Sequence, residues 1–192
     1  LLPVFLGAML EAIVDQYFSL KVTMEPIEWN ENKRGFNLPF SVHERTVVHG
    51  EIDGYGHVNN VVYIAWMDDC AWEHSRERGI PFELCKQLGR GMAVWRTQVN
   101  YLGAAYLGDR VQVATWPVLN DSRLRIARRF QIRRESDGAT LVRALVHYVC
   151  IDLESGKAKR MPTEFTKYTV APEVAAALAL ETEPYQPGVE PF

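Results

Sequence analysis

The stretch from His49 to Asp69, HGEIDGYGHVNNVVYIAWMDD, constrains the fold more than any other part of the chain. It passes from a polar, glycine-punctuated loop into an apolar segment with helical periodicity. Gly54 and Gly56 flank Tyr55, and such glycines take turn dihedrals or let a ligand approach the backbone. Asn59 or Asn60 can cap the first helical turn, whose free backbone N–H groups then point toward the loop. Tyr63, Trp66 and Cys70 follow at helical spacing. The pattern predicts a helix from Asn60 to about Arg78, ended by Gly79 ahead of Pro81. With Trp66, Cys70 and Trp72, this helix carries more apolar surface than one flat contact covers, and a sheet curling around it would bury that surface.

Strand signals surround this helix. Residues 40–49 read as a first strand, and residues 81–91 as a short loop or helical turn. Residues 92–102 read as the next strand, with Ala93, Trp95, Thr97, Val99 and Tyr101 on one side. Residues 109–118 group Val111, Val113 and Thr115, and Pro117 ends that strand or marks an edge or bulge. In residues 123–134, Leu124, Ile126, Phe130 and Ile132 share one face, and Arg123, Arg125, Arg129 and Arg133 the other. Residues 140–153 alternate through Val142, Ala144, Val146, Tyr148 and Cys150. The order implies an α+β fold, an antiparallel sheet wrapped around a long central helix, over residues 38–165.

The flanks read differently. Leu2, Leu6, Met9, Ile13, Tyr17 and Leu20 form a helical stripe. Glu11 and Asp15 interrupt that segment too early for a membrane span, so residues 1–37 are expected to be a helix and a connection. Residues 166–192 are expected to hold a short helix, 172–180, and an extended tail. A net charge of −3 gives no case for nucleic acid. Cys70, Cys85 and Cys150 have no zinc or redox spacing, and their odd number fits a reducing, cytoplasmic setting. The five histidines make no ligand pattern, and neither a nucleotide loop nor a GxSxG elbow occurs.

The run from Asp53 through His57 to Asn60, with Tyr63 and Trp66 after it, resembles the hotdog-fold acyl thioesterases. The likeness is to the 4-hydroxybenzoyl-CoA thioesterase-like and acyl-carrier-protein thioesterase-like branch. It implies a hydrolase cleaving acyl-CoA thioesters, with acyl-carrier-protein (ACP) hydrolysis or non-catalytic acyl-thioester binding as alternatives. Asp53 would activate water or attack the carbonyl, and His57 would assist. In the plant acyl-carrier-protein enzymes an Asn stands between the corresponding Asp and His, where this chain has Tyr55. Backbone amides of Val58, Asn59 and Asn60 would polarise the carbonyl at the helix N-terminus, while Tyr55 and Tyr63 would line the substrate. Arg123, Arg125 and Arg129, with Lys157, Lys159 and Arg160, would meet CoA phosphates or an acidic ACP surface. The resemblance further implies a homodimer or a tetramer of dimers; no metal or other cofactor is expected, and membrane association is not expected.

Overall fold

Asn59 opens the long helix by leaving its own backbone extended while its side chain accepts the Val61 N–H. This satisfies one of the donors that every helix start leaves free. The resulting helix, α1 (Asn60–Glu77), buries Tyr63, Trp66, Met67, Cys70, Ala71, His74 and Ser75. These positions recur every three or four residues and form one stripe. Gly79, at φ +69°, takes the chain out of the helix. The computed structural model describes residues 41–179, so the helix expected in residues 1–20, the connection after it and the extended tail lie outside the described residues.

Five strands form one antiparallel sheet. They are β1 (Ser41–Thr46), β2 (Arg90–Tyr101), β3 (Arg110–Asn120), β4 (Arg125–Arg134) and β5 (Thr140–Asp152). Their order across the sheet is β1-β3-β4-β5-β2, so β1 and β2 are the edges. Helix α1 makes contact with strands at both edges. Cys70 points its thiol at the Ser41 and Val113 carbonyls of β1 and β3, while the Tyr101 hydroxyl of β2 donates to the Asn60 carbonyl. The core between helix and sheet joins Tyr63, Trp66 and Met67 to Phe130, Ile132, Val142 and Tyr148. The expected antiparallel sheet around a central helix is therefore present. Two short helices, α2 (Phe82–Leu88) and α3 (Pro172–Ala179), and two 3-10 turns, His49–Glu51 and Thr163–Lys167, complete the described elements.

Several boundaries and faces differ from the sequence pattern. The first strand stops at Thr46, and His49–Glu51 forms a 3-10 turn instead of continuing it. Residues expected as a loop or turn form α2, which Gly89 ends in the left-handed conformation. In β2 the pairing with β5 slips between Val94 and Arg96. The extra residue turns Trp95 onto His147, whereas Tyr101 packs on Tyr63 beside the helix. One bulge thus separates residues that strict alternation puts on one side. Trp72 is partly exposed against Phe82 and not a core residue.

Candidate active site

The loop between the 3-10 turn and α1 is closed by local bonds. Asp53 N–H donates to the His57 carbonyl at 2.9 Å, and Gly56 N–H to the Asp53 carbonyl at 3.0 Å. Gly56 has φ +83°, a region that side chains with a Cβ rarely enter. The Asp53 carboxylate accepts the Tyr55 N–H through Oδ1 at 2.8 Å. Its Oδ2 lies 3.6 Å from His57 Nδ1. The Asp53 side chain is 21% exposed, reachable from solvent yet held in place. Sequence reasoning groups Asp53 with His57, and the structure brings the two side chains together.

The three amides offered as carbonyl donors separate. Val58 N–H already donates to the Ala105 carbonyl and Asn59 N–H to the Glu51 carbonyl, each at 2.9 Å. Both are removed as oxyanion donors, because a backbone N–H in a good hydrogen bond has no second proton to offer. Asn60 N–H, at the first helical position, has no acceptor among the described residues, and the helix supplies none there. Tyr63 is also corrected. It is 2% exposed, and its hydroxyl accepts the Ala105 N–H at 2.8 Å. It braces the 103–106 turn and does not line an open site; burial pushes its phenol pKa up. Tyr55 does face solvent, 89% exposed, with its ring stacked on His57.

Glu51 organises this region, and the sequence pattern did not single it out. One carboxylate oxygen accepts the Val48 N–H, and the other accepts the Trp66 indole N–H, both at 2.9 Å. Its carbonyl takes the Asn59 N–H. One side chain therefore ties the entry turn to the second turn of α1 on either side of Asp53. The signal for it was the Glu–Trp pairing across 15 positions, which a periodicity reading does not reveal.

The basic residues fall elsewhere. Arg123 sits at the β3–β4 hairpin, where its carbonyl accepts the Met161 N–H at 2.8 Å. This places it beside the segment carrying Lys157, Lys159 and Arg160. The Asp53 loop adjoins the turn before β3, because Val58 pairs with Ala105 there. The hairpin is at the other end of that 11-residue strand, roughly 30 Å away. Lys159 shares the Asp152 carboxylate with Arg90. The Asp152 carboxyl pKa is lowered first by its bond to the Ser155 backbone, then by Lys159. Arg129 is buried, so it is not an open surface contact, and burial runs unbroken from Ile126 to Ile132 on both faces of β4. Arg125 is half-buried, while Arg123, Lys157 and Arg160 are exposed.

Arg128 is not among the residues that the sequence pattern singles out. It stands in the inward register of Ile126, Phe130 and Ile132, and it is 3% exposed. Its guanidinium meets His74 Nδ1, reaches Ser75 Oγ at 3.4 Å, and lies 4.8 Å above the Tyr168 ring. A charged residue at an inward-facing strand position is the signal that would have found it.

Residues 47–178 match a family described as the thioesterase-like superfamily. The chain is 26% identical over 113 residues to the long-chain acyl-CoA thioesterase FadM of Escherichia coli, a match spanning 59% of this chain and 84% of that protein. It superposes with TM-score 0.61 on Slr0204, a 1,4-dihydroxy-2-naphthoyl-CoA thioesterase from Synechocystis, at 19% identity, covering 67% of this chain and 94% of that one. A protein from Staphylococcus aureus solved in complex with CoA superposes with TM-score 0.62 at 19% identity, covering 67% and 80%. These structural likenesses establish a shared fold.

Proposed function

Because this chain belongs to the thioesterase-like superfamily, we propose that it hydrolyses acyl-CoA thioesters to the free acid and CoA, with Asp53 as the reacting carboxylate. The observation that carries this reading is Asp53 itself: half-buried, fixed by the Tyr55 N–H, and set in the loop that runs into the N-terminus of α1. Oδ1 is engaged by that amide, so Oδ2 is the oxygen free to accept a proton from water or to attack the carbonyl carbon. The Asn60 N–H at the positive end of α1 stabilises charge on the carbonyl oxygen. Either route ends with water oxygen on the acyl carbon, the C–S bond broken and a proton on the CoA sulfur. His57, 3.6 Å from Asp53, orients the carboxylate and passes that proton.

We assign the acyl thioester to this loop and the exposed Tyr55 to its rim. Tyr63 and the amides of Val58 and Asn59 hold the loop without touching substrate. Arg123, Arg125, Lys157 and Arg160 have no role at the same chain's Asp53, given their position at the far end of β3. The working unit in this reading is a two-fold dimer. The test is thiol release from aliphatic, branched and aromatic acyl-CoAs, run beside matched acyl-ACPs. Release from acyl-CoA is the expected result. Release from acyl-ACP alone would transfer the assignment to the other carrier, and tight binding without any release would replace the hydrolase with a binding protein.

A further inference from the structure

A cavity of about 160 Å³ opens beside the C-terminal half of α1, away from the Asp53 loop. Ser75, on its wall, is fifteen positions beyond Asn60, roughly 22 Å along the helix axis. Trp72, Met92, Val94 and Ile126 give it apolar sides, and Arg128 and Tyr148 supply polar atoms. A dry cavity of about 150 Å³ accepts benzene, so this space suits a body the size of one ring.

The guanidinium in its wall is incompletely answered. Arg128 has no carboxylate within ion-pair distance among the described residues. Its acceptors are His74 Nδ1, the Tyr168 hydroxyl and, at 3.4 Å, Ser75 Oγ. His74 is claimed from the other side as well, because Arg78 Nε donates to its Nε2 at 3.2 Å. A neutral imidazole has one acceptor nitrogen and one N–H. Burial, then the charges of Arg128 and Arg78, push the His74 pKa down to about 3, which keeps the ring neutral. It can accept from only one of the two arginines. Ser75 Oγ is also engaged, donating to the Ala71 carbonyl and accepting from Tyr168. Arg128 cannot shed its charge, and a buried charge without a counterion is unfavourable.

We propose that this cavity binds a free carboxylic acid with a ring-sized apolar body, its carboxylate paired with the Arg128 guanidinium and its body against Trp72, Met92 and Ile126. A carboxylate offers the two oxygens that a guanidinium fork engages together. The cavity also contains a carboxyl group of its own, Asp68, on the exposed side of α1. Asp68 stands about 10 Å along the axis from Ser75, and burial followed by the neighbouring Asp69 raises its pKa.

Calorimetric titration of the purified chain with benzoate, and with benzamide as its neutral isostere, tests this site with no thioester present. The outcome is therefore independent of hydrolysis at Asp53. Benzoate should bind at least tenfold more tightly than benzamide. Arg128→Met should abolish that preference, and Arg128→Lys should restore part of it. Val94→Trp, at an exposed lining position on the edge strand, should block uptake while leaving the buried network untouched, read at a concentration where sedimentation gives it the same assembly state as wild type. Equal binding of the two probes, no benzoate binding up to millimolar concentration, or unchanged benzoate affinity in folded Arg128→Met would overturn the proposal. Should Arg128→Met fail to fold, the benzoate-to-benzamide ratio of the wild-type chain and the Val94→Trp result decide it.

Discussion

Asp53 owes its position to a division of labour between its two oxygens. Oδ1 takes the Tyr55 N–H and fixes the turn, leaving Oδ2 toward His57. Asp53→Asn can keep an amide oxygen on the Tyr55 bond but puts an NH2 where Oδ2 stood. Turnover should drop by about 10²–10⁴ while the thermal melting point and acyl-CoA binding stay near wild type. Near-normal single-turnover hydrolysis in a folded Asp53→Asn protein would defeat the assignment. His74 makes a different prediction. Its folded pKa of about 3 lies below an unfolded value near 6.5. Between those limits the unfolded chain binds a proton that the folded chain refuses. Stability is therefore intact above about pH 6.5 and declines as pH falls toward 3. His147, also lowered by burial, adds to the same slope. Urea midpoints at pH 7.5 and 4.5 should show a smaller acid loss in His74→Gln than in wild type, by on the order of 1–3 kcal/mol.

At the scale of elements, the link between the 3-10 turn and α1 rests on Glu51. Its two carboxylate oxygens accept from Val48 and Trp66, and an amide in its place would turn an N–H toward one of those donors. Glu51→Gln should cost about 1–3 kcal/mol, as should Trp66→Phe, which removes the indole donor. The double variant should cost less than the two losses added, because both remove one bond; strict additivity in urea unfolding would show that the contact contributes nothing. This link also marks where sequence reasoning ends. Helix α1 was legible because its start, its apolar stripe and Gly79 are all local signals, and β5 because Val142 to Val149 keep one register against β4. The face switch in β2 was not, since a bulge at Trp95 changes the alternation without changing composition. Nor could the commitments of the Val58 and Asn59 amides be seen, because their acceptors belong to residues 105 and 51, distant or irregular in register. The Asp53–His57 pairing was accessible because it spans four residues, whereas Arg128 opposite His74 joins positions 54 apart.

At the scale of the whole chain, part of the exposed apolar surface among the described residues lies on α1 and on the edge strand β2. Helix α1 turns Val61, 71% exposed, together with Ile64 and Trp72 to the outside. The edge strand β2 adds Val94, 51% exposed, and Tyr101. Edge β1 has only six residues and charged neighbours in Glu44 and Arg45, whereas edge β2 has twelve, with Arg90 and Arg96 its charged members. A long, weakly charged edge left open invites pairing with another chain. Two β2 edges meeting antiparallel about a two-fold axis would extend the sheet to ten strands and cover these side chains, a self-complementary arrangement. A stable association needs roughly 1,000 Å² or more of buried surface, which a twelve-residue edge with an adjoining helix face can supply. Sedimentation velocity should therefore give a species near twice the 21.9 kDa chain mass at micromolar concentration, without substrate. Acyl-CoA hydrolysis per chain should fall on dilution into the range where that species dissociates. A 21.9 kDa species that keeps full activity across the same dilution would show that one chain suffices, and the exposed β2 edge would then need another explanation.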